Sequence, residues 1–219
     1  VDMASADWQA ASGDLAADRR VEALDRGQAM KFDTRTLILM AAAVVINIVG
    51  GQIVHFLKLP LYLDSIGTML VAILAGPWAG GIAGAMTNLI WALILNPVAA
   101  AFAPVALVIG VVAGLMARAG WFRTWWQAMV SGAVVAVPST IVAAPIIVYM
   151  FGGVTGGGPD FAVAYMLAVG SSLLNSVAFS NLGVNVIDKV ITALVAWIAA
   201  SRLPSRLTAN FGFFAHSQA

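Results

Sequence analysis

The chain contains no cysteine. Disulfides, thiol nucleophiles and thiolate metal sites are therefore excluded. Charge is scarce as well: Asp, Glu, Lys and Arg make up 10% of the residues, against 61% hydrophobic. Soluble domains carry about a quarter charged residues, so a soluble globular class is excluded. The net charge of +1 is too small to point to a nucleic-acid partner. Residues 1–30 lack the apolar core that a secretory signal needs. Catalytic signatures are missing too. There is no HExxH, no GxSxG and no acid pair on one helix face at the inner boundary. The glycine-rich run GGVTGGGPD (152–160) lacks the Lys-Ser/Thr ending of a phosphate-binding loop. The composition implies no enzyme, no metal and no cofactor.

What the chain has is length in apolar blocks. Repeated runs of about 17 residues or more mark an all-α membrane protein. A barrel would show short alternating segments instead. The spacing predicts spans over about 36–56, 61–75, 79–95, 101–117, 125–150 and 182–200. Pro138 and Pro145 fall inside the fifth and predict kinks. Residues 161–178 are apolar enough to be weighed as a seventh. Charge decides, because cytoplasmic flanks are enriched in Lys and Arg. Lys31 and Arg35 precede the first span, and Arg118 and Arg123 follow the fourth. Arg202 and Arg206 fall on the same side only if there are six spans. The expected architecture is thus six transmembrane helices with both termini cytoplasmic. Residues 161–180 form an outer segment, re-entrant or interfacial. Residues 1–30 hold six of the ten acids and read as a polar cytoplasmic tail. The membrane domain covers 31–206, and 207–219 is a C-terminal tail.

Polar groups inside spans are costly and face protein or an aqueous cavity. Here they gather in the outward half. Asn47, Gly51 and His55 share one face of the first span by their spacing of four, with Gln52 beside them. Asp64 and Ser65 open the second span. Asn88, Trp91 and Asn96 lie at the outer end of the third. Asn181, Asn185, Asp188 and Thr192 approximate one face of the last. The inner halves are built of Ala, Gly, Val, Leu and Ile. A proton or ion path would need polar stations through the whole thickness. A one-sided cluster with a dry floor suits a binding cavity. The Trp offers a stacking face, and the amides offer paired donors and acceptors. The expected solute contacts are Asp64, Asn88, Trp91 and Asn96, then His55, Gln52, Asn185 and Asp188. Two readings of Asp64 stand: a solute contact, or a holder of the helix ends. Membrane asparagines also serve simply to bond neighbouring helices, Asn47 above all, and Asp188 with Lys189 reads equally as a local ion pair. Trp78, Trp121, Trp125 and Trp126 read as interfacial anchors. Gly76, Gly80 and Gly84 read as a close-packing stripe.

The stretch 61–97, with its D-S-I-G-T start, L-A-G-P-W-A-G-G-I-A-G turn and T-N-L-I-W end, resembles the substrate-binding S components of energy-coupling factor (ECF) vitamin transporters. The N-V-I-D-K-V-I-T-A-L-V-A opening of the last span is similar to the final helix of that family. The resemblance covers about 36–206. It implies a high-affinity capture subunit for a vitamin-like solute in a bacterial inner membrane. It also implies partners: a transmembrane T component and two cytoplasmic ATPases, since this chain has no Walker motif. The family's AxxxA docking pattern is replaced here by Ala41-Ala42-Ala43. Those residues, with Gly80 and Gly84, are the expected docking positions. The alternative is a structural or assembly subunit of a larger membrane complex, with the glycine repeats serving subunit packing. A lipid-modifying membrane enzyme ranks behind both.

Overall fold

A computed structural model of the chain describes residues 32–204 and Phe211. The 1–30 tail and, apart from Phe211, the 207–219 tail lie outside the described residues. Among the described residues there is no strand. The helices are α1 Thr34–Phe56, α2 Ile66–Ala75, α3 Pro77–Ile94, α4 Ala103–Arg118, α5 Trp125–Phe151, α6 Asp160–Ala168 and α7 Leu173–Arg202. A 3₁₀ turn, Pro97–Phe102, leads into α4. Among the described residues, four segments are long and apolar enough to cross a membrane: α1, Pro97–Arg118, α5 and α7. The outward faces are apolar as well. Ile38, Val45 and Ile53 of α1, Ile141 of α5 and Ile187 and Ile198 of α7 are exposed. That is the surface of an all-helical membrane protein rather than of a soluble bundle.

The middle of the bundle is α2. Seven of its ten residues, among them Met69, Ile73 and Leu74, are buried. It packs on α1, α3, α4 and α7. A helix of ten residues is about 15 Å long, roughly half the hydrocarbon thickness. The second apolar stretch, 61–75, is therefore ten helical residues preceded by five non-helical ones. Residues 57–65 run non-helically into the protein, and Leu63 sits in the left-handed region at φ 47°. The chain then turns sharply between α2 and α3 at Gly76, where φ is 95°. Only glycine adopts that conformation freely, and Pro77 starts the next helix with its φ already set.

The last helix also differs from its sequence pattern. Residues 173–181, expected outside the span, are the first turns of an unbroken 30-residue α7. Serines and asparagines lower the hydropathy there without breaking the helix. Ser172 caps it by accepting from the Asn175 amide, and Ser176 donates its hydroxyl back to the Ser172 carbonyl. The break lies earlier, at Gly170 (φ 90°), which leaves α6 as a short separate helix packed on α7. Pro138 and Pro145 are accommodated within a continuous α5.

The glycine stripe is consumed inside the fold. A methyl on Gly110 would meet the Gly80 and Gly81 backbone, and one on Gly114 would meet Pro77. A methyl on Gly84 would lie 2.7 Å from the Ala106 carbonyl, and one on Gly80 would strike Ala72. The backbones of α3 and α4 thus touch, in the manner of small-residue membrane interfaces. Of the expected docking positions, Gly80, Gly84 and Ala43 are buried and cannot touch a partner while the fold stays intact. Ala41 and Ala42 are exposed. A Gly110→Val substitution is expected to destabilise the protein by about 1–3 kcal/mol through overpacking. Gly183, whose surroundings are open, tolerates Gly183→Ala. Thermal unfolding in detergent compares the two.

Candidate functional site

Among the described residues, one end of the bundle gathers most of the Asn and Asp side chains. It is formed by the end of α1, the 57–65 segment, the end of α3, the 3₁₀ turn, the 152–159 loop and the first half of α7. The opposite ends of the same helices carry Arg35, Arg118 and Arg202. Trp78 lies at that far end with Trp121, Trp125 and Trp126, since Gly114 packs on Pro77. The rings of Trp121 and Trp126 meet edge to face at 6.3 Å.

Two adjacent residues of α7 organise the polar end. Asp188 and Lys189 are buried, at 0% and 2% exposure. The Asp188 carboxylate accepts the backbone N–H of Tyr62 (2.9 Å) and of Leu63 (2.8 Å). Its other oxygen accepts from the Lys189 ammonium at 2.6 Å. Lys189 also donates to Ser65 Oγ at 2.8 Å and stands 3.5 Å from Asp64. The inward strand of chain therefore has its buried amides satisfied by a side chain instead of by a helix. The left-handed Leu63 costs about 1–3 kcal/mol on its own, and these bonds hold it there. Alongside runs a chain of neutral groups. Asn185 donates to Asn181, and Asn181 donates to the Tyr62 hydroxyl at 3.1 Å.

Trp91 forms a second anchor. Its indole N–H donates to Gln52 at 3.3 Å, and its ring lies against Gly51, where a methyl would strike it. Asn88 donates to the Phe102 carbonyl at 2.9 Å. Asn96 accepts from the Val98 amide and so caps the 3₁₀ turn. Phe102 stacks on Phe151 at 5.9 Å. Over these groups the two loops are tied together. Lys58 donates to the Gly156 carbonyl (2.9 Å), and Gly158 lies against the Leu59 carbonyl. Asp160 accepts from the Thr155 and Gly156 amides.

These elements form a partly open cavity of about 130 Å³. At about 10–15 Å³ per water, that is room for a small organic molecule. His55, Asp64, Asn88, Trp91, Asn96 and Asn185 line it. Gln52 stands behind Trp91 and holds its ring. Asp188 lies behind the wall, bonded to backbone and Lys189. Asn47 is further in and fully engaged: it donates to Thr68 and Thr87 and accepts from the Gly67 amide, tying α1 to α2 and α3. The expected solute contacts leave out Ser65 and Lys189, which are placed at the outward end only, and do not include Tyr62; the expected dry floor is made by Phe102, Val105, Ile109 and Ile147, and all of these line the cavity. A signal for Lys189 was present. Asn181, Asn185 and Lys189 recur every fourth residue, and this phase of the helix faces the cavity. Residues 161–180 supply none of the lining, whereas Thr155 and 157–159 do. Among the described residues no three His, Asp or Glu side chains converge as a metal site.

Replacing Lys189 with Met leaves the buried Asp188 carboxylate and its neighbour Asp64 without their cation. The expected loss is about 3–5 kcal/mol, seen as a collapsed monodisperse peak and a lowered unfolding temperature in detergent. Asp64→Asn acts on a side chain that is 26% exposed and is expected to cost far less. In comparisons with protein-family models, curated proteins and solved structures, nothing matches this chain.

Proposed function

We propose that the chain is a membrane-embedded capture protein for a small water-soluble solute. It takes the solute from outside the cell into the cavity between α1, α3, α4, α5 and α7. The observation that carries this reading is the cavity's two-sided character. Amides, a carboxylate and an indole from four separate elements converge at its rim, over a floor of Phe102, Val105, Ile109 and Ile147. Pockets that hold small molecules have this make-up, mostly apolar with a few placed polar groups. The orientation follows from charge. Arg35, Arg118 and Arg202 lie at the end away from the cavity, and cytoplasmic ends are the basic ones. With α2 and α3 counted as the second and third passes, the chain makes six passes with both termini inside.

The motif resemblance extends the reading to an S component of an ECF-type vitamin transporter in a bacterial inner membrane. Uptake is then driven by a T component and two ATPases. The exposed Ala41 and Ala42 are the remaining docking positions on α1. The competing reading, a packing subunit, drew on the glycine repeats, and those are taken up by contacts within the chain itself. In the proposed role Trp91 stacks on the solute and Asn88 and Asn96 bond its polar edge.

Protein purified gently from its membrane is expected to carry a bound small molecule, visible by native mass spectrometry. Asn88→Ala and Trp91→Ala are each expected to weaken its retention by about tenfold, the loss of one good contact, without unfolding the chain. Equal retention in both variants would withdraw the site.

A further inference from the structure

The cavity's charged groups are not evenly divided between free cations and free anions. The Lys189 ammonium has three hydrogens, and Asp188, Ser65 and Asp64 surround it. It has none left for an anion. The Trp91 N–H is taken by Gln52. The Asn88 amide donates to Phe102, which turns its Oδ1 away with no bond from any described residue. The Asn185 amide donates to Asn181 and leaves its Oδ1 likewise without a donor. The Asp64 carboxylate reaches its cation only at 3.5 Å and keeps a quarter of its side chain open. At the rim, the amide of Asn96 and the ring of His55 complete the polar set.

Charge points the same way. Asp64 and Asp188 face one ammonium. The loops above add Asp160, which is bonded to Thr155 and Gly156, and Lys58, which is bonded to Gly156. The balance is one negative charge beside an apolar floor, in a setting where an uncompensated charge is expensive. The one cation on the wall is fully engaged, whereas the Asp64 carboxylate and the Asn88 and Asn185 oxygens are open; the donors left over are neutral ones, the remaining amide hydrogens and the Tyr62 and Ser65 hydroxyls.

From this we infer that the cavity selects a small organic cation, one that presents N–H donors on a flat apolar body, as an amidine or a protonated aminoheterocycle does. The assignment rests on the capture reading and narrows its solute class. The cationic N–H group sits at Asp64 between the Asn88 and Asn185 oxygens. The flat body lies on Trp91 and Phe102. An anion is disfavoured because no ammonium hydrogen is free to meet it and the Asp64 carboxylate repels it.

The test uses the full purified chain and three probes of one shape and three charges: benzamidine, benzamide and benzoate. Binding is read by calorimetry and thermal shift at millimolar concentrations. Benzamidine is expected to bind about tenfold or more tighter than benzamide, the worth of a charge-assisted bond, and benzoate not at all. Asp64→Asn is expected to remove that preference, bringing benzamidine and benzamide to the same affinity. Asn88→Leu weakens benzamidine and benzamide alike. Should Asp64→Asn fail to fold, the wild-type order of the three probes decides. Benzamide or benzoate binding as well as benzamidine overturns the cation assignment alone. Binding of none of the three, in protein that also carries no retained solute, overturns the capture reading and this inference with it.

Discussion

The structure depends on one buried ion pair and the stretch of chain it holds. Asp188 and Lys189 sit side by side on α7, yet they face a segment more than a hundred residues away in sequence. Asp188 binds the amides of Tyr62 and Leu63, and Lys189 binds Ser65 and approaches Asp64. That contact turns what would be a full-length second span into a half-helix preceded by an inward strand of chain. The space left by the missing helical turns is the cavity. Non-helical backbone at membrane depth is tolerated only where protein or an aqueous cavity satisfies it, and here a carboxylate does so.

Such an arrangement contributes little net stability. Taking two ions out of water costs several kcal/mol each, and their attraction offsets this only with good geometry and further hydrogen bonds. Its value lies in specification. Without the Asp188 carboxylate the Tyr62 and Leu63 amides lose their acceptor, and the non-helical segment loses what holds it in place. The rest of the bundle is arranged to leave this end alone. Close backbone contact between α3 and α4 at Gly80, Gly84, Gly110 and Gly114 fixes the far half. Asn47 locks α1 to α2 and α3 one turn below the cavity. Rigidity below and polar groups above are what a preorganised binding site needs.

Much of this was legible in the chain. Apolar block length gave the all-helical membrane class, because hydrocarbon thickness imposes it. Clustering of Asn, Asp, His and Trp at one end of the blocks pointed to the polar end, because a buried polar group needs a partner. His55, Asp64, Asn88, Trp91, Asn96 and Asn185 line one cavity, while Gln52 and Asp188 of the same expected set stand behind its wall. Hydropathy could not show that residues 61–65 leave the helix. Leu61 and Leu63 are as apolar as any helical residue, and what holds this segment out of the helix is a carboxylate 125 residues beyond Leu63. Nor could it place the start of α7, since Ser and Asn read as a break whether or not their side chains bond back to the helix. The Asp188–Lys189 order was ambiguous for a related reason. Adjacent residues point about 100° apart on a helix, and only tertiary contact decides which of the two meets the cavity.

The absence of cysteine makes a direct test of outward capture straightforward. A single Asn96→Cys, at the cavity rim and half-buried, would be the chain's one thiol. Whole cells expressing it are treated with a membrane-impermeant maleimide. The account predicts labelling from outside, slowed when the protein is loaded with its solute. Labelling only from the cytoplasmic face, in inverted vesicles, or labelling indifferent to solute, would contradict it.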